Sequence, residues 1–346
     1  MSIDTARISP AGDSSVGPVH LLTVGREPGV VLRLLDLGAT VHRLEVSDRE
    51  GVRRNVVLGH PGPEDYLQST AYLGATVGRY ANRIAAGRFT LDRTEHQVGT
   101  NDRGNALHGG PEGFDSRLWE VRELDADHAV LDLVSPDGDQ GYPGRLRITA
   151  RFEVAGEEVR LDLSAVTDAA TLVNLTNHAY FNLDGGGPAD EHLLSVAADH
   201  YTPVDATGIP LAGHEDVTGT PFDLRQPTPV GRAARTAHPQ VVTARGIDHN
   251  LVPGGQGLRP VASLASPRSG LRMTLATDQP ALQVYTGNFL DGSTRGVDGA
   301  LLRQGEGVAL EPQLPPDTPN HPEFGSAVLR PGETYRSSIR WRFDRT

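Results

Sequence analysis

The sequence predicts an all-β fold, an antiparallel sandwich or barrel with few short helices. Three observations predict it. Apolar residues recur at every second position over long stretches. Turn residues, 40 Gly and 25 Pro in 346 residues, are scattered between those stretches rather than gathered in a linker. Helical periodicity is nearly absent.

Taken in chain order, residues 1–17 are polar, lack a cationic start and an apolar run, and read as a flexible N-terminal tail rather than a signal peptide. Short strands fit 30–35 and 40–46, and a single helical turn fits 63–66. Residues 129–134 suit another strand. In 145–154, Leu146, Ile148, Ala150, Phe152 and Val154 alternate with Arg, Thr and Glu, which is one packed face and one wet face. Val159, Leu161 and Leu163 continue the period, and Ala155-Gly156-Glu157-Glu158 suits the hairpin between them. Strands follow at 271–276, 281–286 and 307–313. Ile339, Trp341 and Phe343 close the chain in the same rhythm. No linker, repeat or charge run divides the chain, so residues 1–346 are expected to form one domain.

Composition narrows function. Acidic residues number 44 against 32 basic ones, a net charge of −12, which argues against nucleic acid or an anionic membrane as partner. No run approaches the ~18 apolar residues of a membrane span. There is no cysteine, so thiolate nucleophiles, disulfides and Cys-type metal sites are excluded; this fits a cytoplasmic protein. All 32 basic residues are Arg. Without lysine there is no Schiff-base, pyridoxal-phosphate or P-loop lysine chemistry. HExxH, GxSxG, an EF-hand loop and a strand-linked GxGxxG are absent.

The most informative segment is 171–183, TLVNLTNHAYFNL. Read as one strand, its odd face is mainly apolar, while Asn174, Thr176, His178, Tyr180 and Asn182 share the even face. Neutral hydrogen-bonding groups around one imidazole suit an uncharged, polyhydroxylated ligand. A second strand places Ala309, Glu311 and Gln313 on one face, with Pro312 holding Glu311 extended. In 281–287, Leu282 and Val284 pack, and Gln283 and Tyr285 face away. Loops add Arg79, Asn82 and Arg83 in GRYANRI, His108 before a Gly-Gly pair that permits close backbone approach to a ligand, and Asp248 before His249. Each residue alone has a plainer reading: a satisfied core histidine, an exposed Glu, a solvated Arg, a simple turn. Together, one imidazole and one carboxylate form an acid–base pair.

The strings GRYANRI (78–84), NALHGG (105–110), DGDQGYPG (137–144), NLTNHAYFNL (174–183), IDHN (247–250), LQVYTGNFL (282–290) and LEPQ with PDTPN (310–313, 316–320) resemble, in order, those of the aldose 1-epimerases, or mutarotases. The resemblance implies a large antiparallel β-sandwich with a cleft on one sheet. It implies that Glu311 is the catalytic base, His178 the acid and His108 the histidine assisting at the ring oxygen. It also implies that Asn82, Arg83, Asp248 and Gln283 hold the sugar. Neither metal nor cofactor is expected. The partner would be a free monosaccharide, and the chain a monomer or weak homodimer. For His178 to act as an acid, its pKa is expected near or above neutrality, raised by Glu311 or Asp248.

Other readings set different demands. A hexose-6-phosphate 1-epimerase would want two arginines at the cleft, with Arg79 and Arg83 the candidates. A non-catalytic carbohydrate-binding protein would need aromatic platforms and no acid–base pair. A glycoside hydrolase would need two carboxylates across the bond. A metal-dependent cupin would use His108, His178 and His249.

Overall fold

The computed structural model describes residues 3–211 and 213–346. Its largest sheet has nine strands, in the spatial order Glu120–Leu124, His128–Ser135, Leu146–Ala155, Glu158–Thr167, Tyr335–Arg345, Leu271–Thr277, Arg259–Ala265, Leu193–Val196 and Thr228–Pro229, all antiparallel. The period-two segments build its centre. Ala155 pairs with Glu158 across Gly156-Glu157, and Gly156 supplies the positive φ that this two-residue turn needs.

A second sheet of six strands runs Tyr180–Phe181, Val308–Gln313, Ala281–Tyr285, Asp248–Pro253, Ala198–Thr202 and Glu215–Asp216. Its inner face (Leu251, Leu282, Val284, Val308, Leu310) shares one apolar core with Leu161, Leu163, Leu275, Ile339 and Trp341 of the large sheet. Phe181 meets Trp341 edge-on at 5.6 Å between centroids, bridging the two layers. A five-stranded sheet spanning Ile8–Ser14 to Arg53–Asn55 adds Leu22, Val24, Leu32 and Leu34 to this core. Among the described residues, α-helix is confined to Pro63–Gln68, Val230–Ala234 and Pro239–Ala244.

Two sequence expectations need correction. Most of the supposed tail is structured: Ile8–Ser14 is an edge strand against Gly17–Gly25, mostly wet on its side chains and held by its backbone ladder; residues 1 and 2 lie outside the described residues. Segment 171–183 is not one strand. It pairs in turn with Val328–Leu329, Thr76–Val77 and Val308–Ala309, and all thirteen of its residues are buried. Alternation therefore does not separate a wet face from a dry one there. The asparagines of this segment hold backbone instead of ligand. Asn174 donates to the Ala81 carbonyl, Asn177 to that of Gly74, and Asn182 to those of Gly187 and Glu306.

The face of the six-stranded sheet turned from the core carries the chemistry. One cross-strand row reads Tyr180, Ala309, Tyr285, Asp248; the next reads Glu311, Gln283, Asn250, Thr202. Loops from residues 60–116 close over these rows.

Candidate active site

A cavity of about 990 Å³ lies above the two rows, with Asn82, Arg83, His108, His178, Asp248 and Glu311 in its wall. Six of the seven residues expected at the site thus converge. Gln283 does not line the cavity. Its Nε2 donates to Asp248 Oδ1 at 2.7 Å, so it acts on the site by holding that carboxylate.

His178 Nε2 and Glu311 Oε1 are 3.6 Å apart, and both side chains are buried. The His108 ring meets that of His178 edge-on at 5.2 Å. Three tyrosines, none given a role from the sequence, pack this group. Tyr72 lies 4.6 Å from His108, Tyr180 4.9 Å from His178, and Tyr285 6.3 Å from His178, all between ring centroids. Tyr180 and Tyr285 were visible on the polar faces of their strands. Tyr72 sits in a loop at positive φ, and nothing in its sequence context marks it.

Local backbone explains His108. It follows the short strand Ala106–Leu107 and sits at positive φ, with Gly109 and Gly110 also positive. A Cβ on Gly109 would lie 1.9 Å from the Gly78 carbonyl oxygen. The close approach expected of this Gly-Gly pair is thus to the protein's own backbone, not to a ligand. His108 Nδ1 accepts the Asn82 backbone N–H at 3.2 Å. The neutral ring therefore keeps its proton on Nε2, the other nitrogen, which makes it a donor.

That tautomer bears on metal binding. Donor atoms of His108, His178 and Glu311 lie within 4.8 Å of one another. A metal needs a lone pair, whereas the free nitrogen of His108 carries hydrogen. His249, the third histidine of the cupin reading, is fully buried on the opposite side of its strand. It accepts Asp248 N–H on Nδ1 and meets Gln240 through Nε2. Arg79, a candidate phosphate ligand, is also buried outside the cavity and spends its guanidinium on Ser135 and on the carbonyls of Pro136, Pro143 and Gly144.

Burial dominates the electrostatics. Desolvation, then the nearby Asp248 charge, holds the Glu311 carboxyl well above the usual carboxylate range, and Arg83 offsets part of this. The same desolvation pushes His178 down to about 4, with only partial relief from a backbone hydrogen bond and then from Asp248. This overturns the expectation of a neutral-range His178: loss of water outweighs the neighbouring carboxylate. His108 is also held well below the usual imidazole range, by burial and then by His178 and Arg83.

The aldose 1-epimerase family model matches residues 20–342. The chain belongs to the aldose 1-epimerase family. It is 40% identical over 337 residues to galactose mutarotase of Rattus norvegicus, covering 96% of each chain. To the aldose 1-epimerase of Escherichia coli K12 it is 38% identical over 347 residues, covering 98% of each. Among solved structures, galactose 1-epimerase from Lactobacillus acidophilus aligns with a TM-score of 0.87 at 33% identity, covering 98% of each chain. An aldose epimerase homologue from Caenorhabditis elegans gives 0.89 at 29% identity, over 94% of this chain and 99% of the other. As a member of this family the chain is a carbohydrate isomerase: it interconverts the α and β anomers of aldoses, and its substrate is a sugar.

Proposed function

We propose that Glu311 and His178 carry out the anomeric interconversion of a free aldose, galactose or glucose, as one proton-exchanging pair. The observation that supports this most is the 3.6 Å separation of His178 Nε2 and Glu311 Oε1 inside a buried pocket. The two oxygens to be served, the anomeric hydroxyl and the ring oxygen, share one carbon, so their partners must stand close together.

The pair holds one proton, which burial rests on Glu311; passed to His178, it leaves a Glu311 carboxylate that takes the proton of the C1 hydroxyl, while the His178 imidazolium gives a proton to the ring oxygen and the C1–O5 bond breaks. His108 steadies that oxygen through its Nε2–H. Rotation about C1–C2 turns the aldehyde. The Glu311 carboxyl then returns a proton to the carbonyl oxygen, His178 takes the proton of the O5 hydroxyl, and the ring recloses. Opening converts the charged pair, imidazolium with carboxylate, into two neutral groups. Burial favours neutral groups, so the dry pocket stabilises the pair as it stands beside the open chain. Each positioned proton-transfer group contributes about 10²–10⁴-fold.

Asn82, Arg83 and Asp248 bind the ring hydroxyls, and Gln283 fixes Asp248. A sugar phosphate fits less well, because Arg79 is committed to backbone and Arg83 is paired with Asp102. In this reading the enzyme is cytoplasmic, needs neither metal nor cofactor, and works as a monomer or weak homodimer; the net charge of −12 supports the absence of a nucleic-acid partner. Among the described residues, no helix is long and apolar enough to cross a membrane. Polarimetry of freshly dissolved α-galactose and α-glucose, with the 6-phosphates as comparison, tests the reading. Faster relaxation of the phosphates than of the free sugars would overturn the substrate assignment.

A further inference from the structure

Arg83 is held on three sides. Its Nε donates to Asp102 Oδ2 at 2.8 Å, and its Nη1 reaches Asn82 Oδ1 at 3.4 Å. The third side is Gly208, from a loop 125 residues away in sequence: a Cβ there would stand 2.9 Å from the Arg83 guanidinium carbon. Among the described residues Nη2 makes no hydrogen bond, so its two N–H groups and the second N–H of Nη1 are left for a ligand in the cavity that Arg83 lines.

The two loops around Arg83 are themselves built and joined. Asp102 and Asn105 exchange backbone hydrogen bonds, closing a tight turn. Asp205 Oδ1 accepts from the backbone of Thr207 and Ile209, and its carbonyl accepts from Gly208 N–H, which sets Gly208 in place. Arg103 ties one loop to the other: its Nε and Nη2 contact the Asp102 carboxylate, and its Nη1 donates to the Ala206 carbonyl at 3.0 Å. Asp102 thus takes bonds from two guanidinium groups at once.

We propose that Asp102, braced by Arg103, is a positioning residue: although it lines the same cavity, it serves sugar binding by fixing Arg83. This rests on the reading of Arg83 as a sugar-binding group. A long side chain ordered only when ligand arrives loses rotamer freedom at that moment, and an arginine already clamped does not. The planar fork also makes direction matter more than it would for an ammonium. The predicted signature is a rise in KM with little change in kcat, since Arg83 grips hydroxyls while Glu311 and His178 move the protons.

The test is a cycle of Asp102→Ala, Asp102→Asn, Arg83→Gln and the Asp102→Ala/Arg83→Gln double variant, with thermal unfolding to establish that each is folded. KM and kcat for α-galactose are measured by polarimetry. Asp102→Ala should raise KM about tenfold, the scale of one charge-assisted hydrogen bond, and lower kcat by less than about threefold. Asp102→Asn, which keeps an acceptor for Nε, should fall between it and wild type. Adding Asp102→Ala to Arg83→Gln should change nothing further. An unchanged KM in Asp102→Ala, with KM raised in Arg83→Gln, overturns the positioning role and leaves Arg83 as a sugar ligand. An unchanged KM in Arg83→Gln overturns the reading of Arg83 and the inference with it. A further rise in the double variant shows Asp102 binding sugar directly, which also overturns it.

Discussion

Glu311→Gln keeps the shape of a fully buried side chain and removes its ability to carry a proton. The variant should lose activity and gain stability together. Without the base, kcat should fall by about 10²–10⁴-fold, or about 3–5 kcal/mol of barrier. Stability should respond in the opposite sense. Burial and Asp248 hold the Glu311 carboxyl well above its unfolded value. A raised acid contributes stability below its unfolded pKa and loses it as pH rises through the folded value, where the desolvated carboxylate must form. Glutamine never ionises, so the melting-temperature gap between variant and wild type should widen toward alkaline pH. Polarimetry on α-galactose, corrected for the uncatalysed rotation, measures the first effect, and thermal unfolding across pH the second. Wild-type relaxation by a folded Glu311→Gln would refute the assignment of the base. A gap that narrows as pH rises would refute the electrostatic argument.

His178→Ala should abolish turnover to a similar degree in the same assay while the protein stays folded. The pH profile of kcat/KM should be bell-shaped, with its acid limb well below 6.5 because His178 is pushed down to about 4; a limb at 6.5 would contradict the burial argument. His249, fully buried and also lowered to about 4, should make stability fall as pH drops from 6.5 toward 4, because the unfolded chain binds a proton that the folded one refuses. The slope is about 1.4 kcal/mol per pH unit for this histidine, seen as the difference in urea unfolding between wild type and His249→Gln. Gly109→Ala should strongly destabilise the fold or displace His108, since its Cβ would collide with the Gly78 carbonyl; wild-type melting and activity would contradict the packing there.

The strands at Leu146–Ala155 and Glu158–Thr167 were legible because one face is packed and the other wet, so composition alternates with geometry. The same rule failed at 171–183, where both faces are buried and three different partners take successive pairs. Glu311, His178, His108, Asn82, Arg83 and Asp248 were found through strings that resemble a known family; residue types alone left each with a plainer reading. The strings set Gln283 among the sugar-binding groups; in the fold its Nε2 donates to Asp248, a cross-strand contact that no local pattern reports. Asp102 and Tyr72 were missed because their partners, Arg83 and His108, lie 19 and 36 residues away, and no local pattern reports such contacts. The direction of the His178 shift was misjudged because a carboxylate neighbour can be read from a motif, while the depth of burial belongs to the folded chain.

The central claim is that the Glu311 and His178 side chains act as one unit on a single hemiacetal carbon. Mutarotation rates of Glu311→Gln, His178→Gln and the double variant test it most directly. Partners in one concerted exchange should give a double variant no slower than the slower single variant. Losses that multiply in the double variant would mean two independent contributions, and the paired mechanism would be wrong.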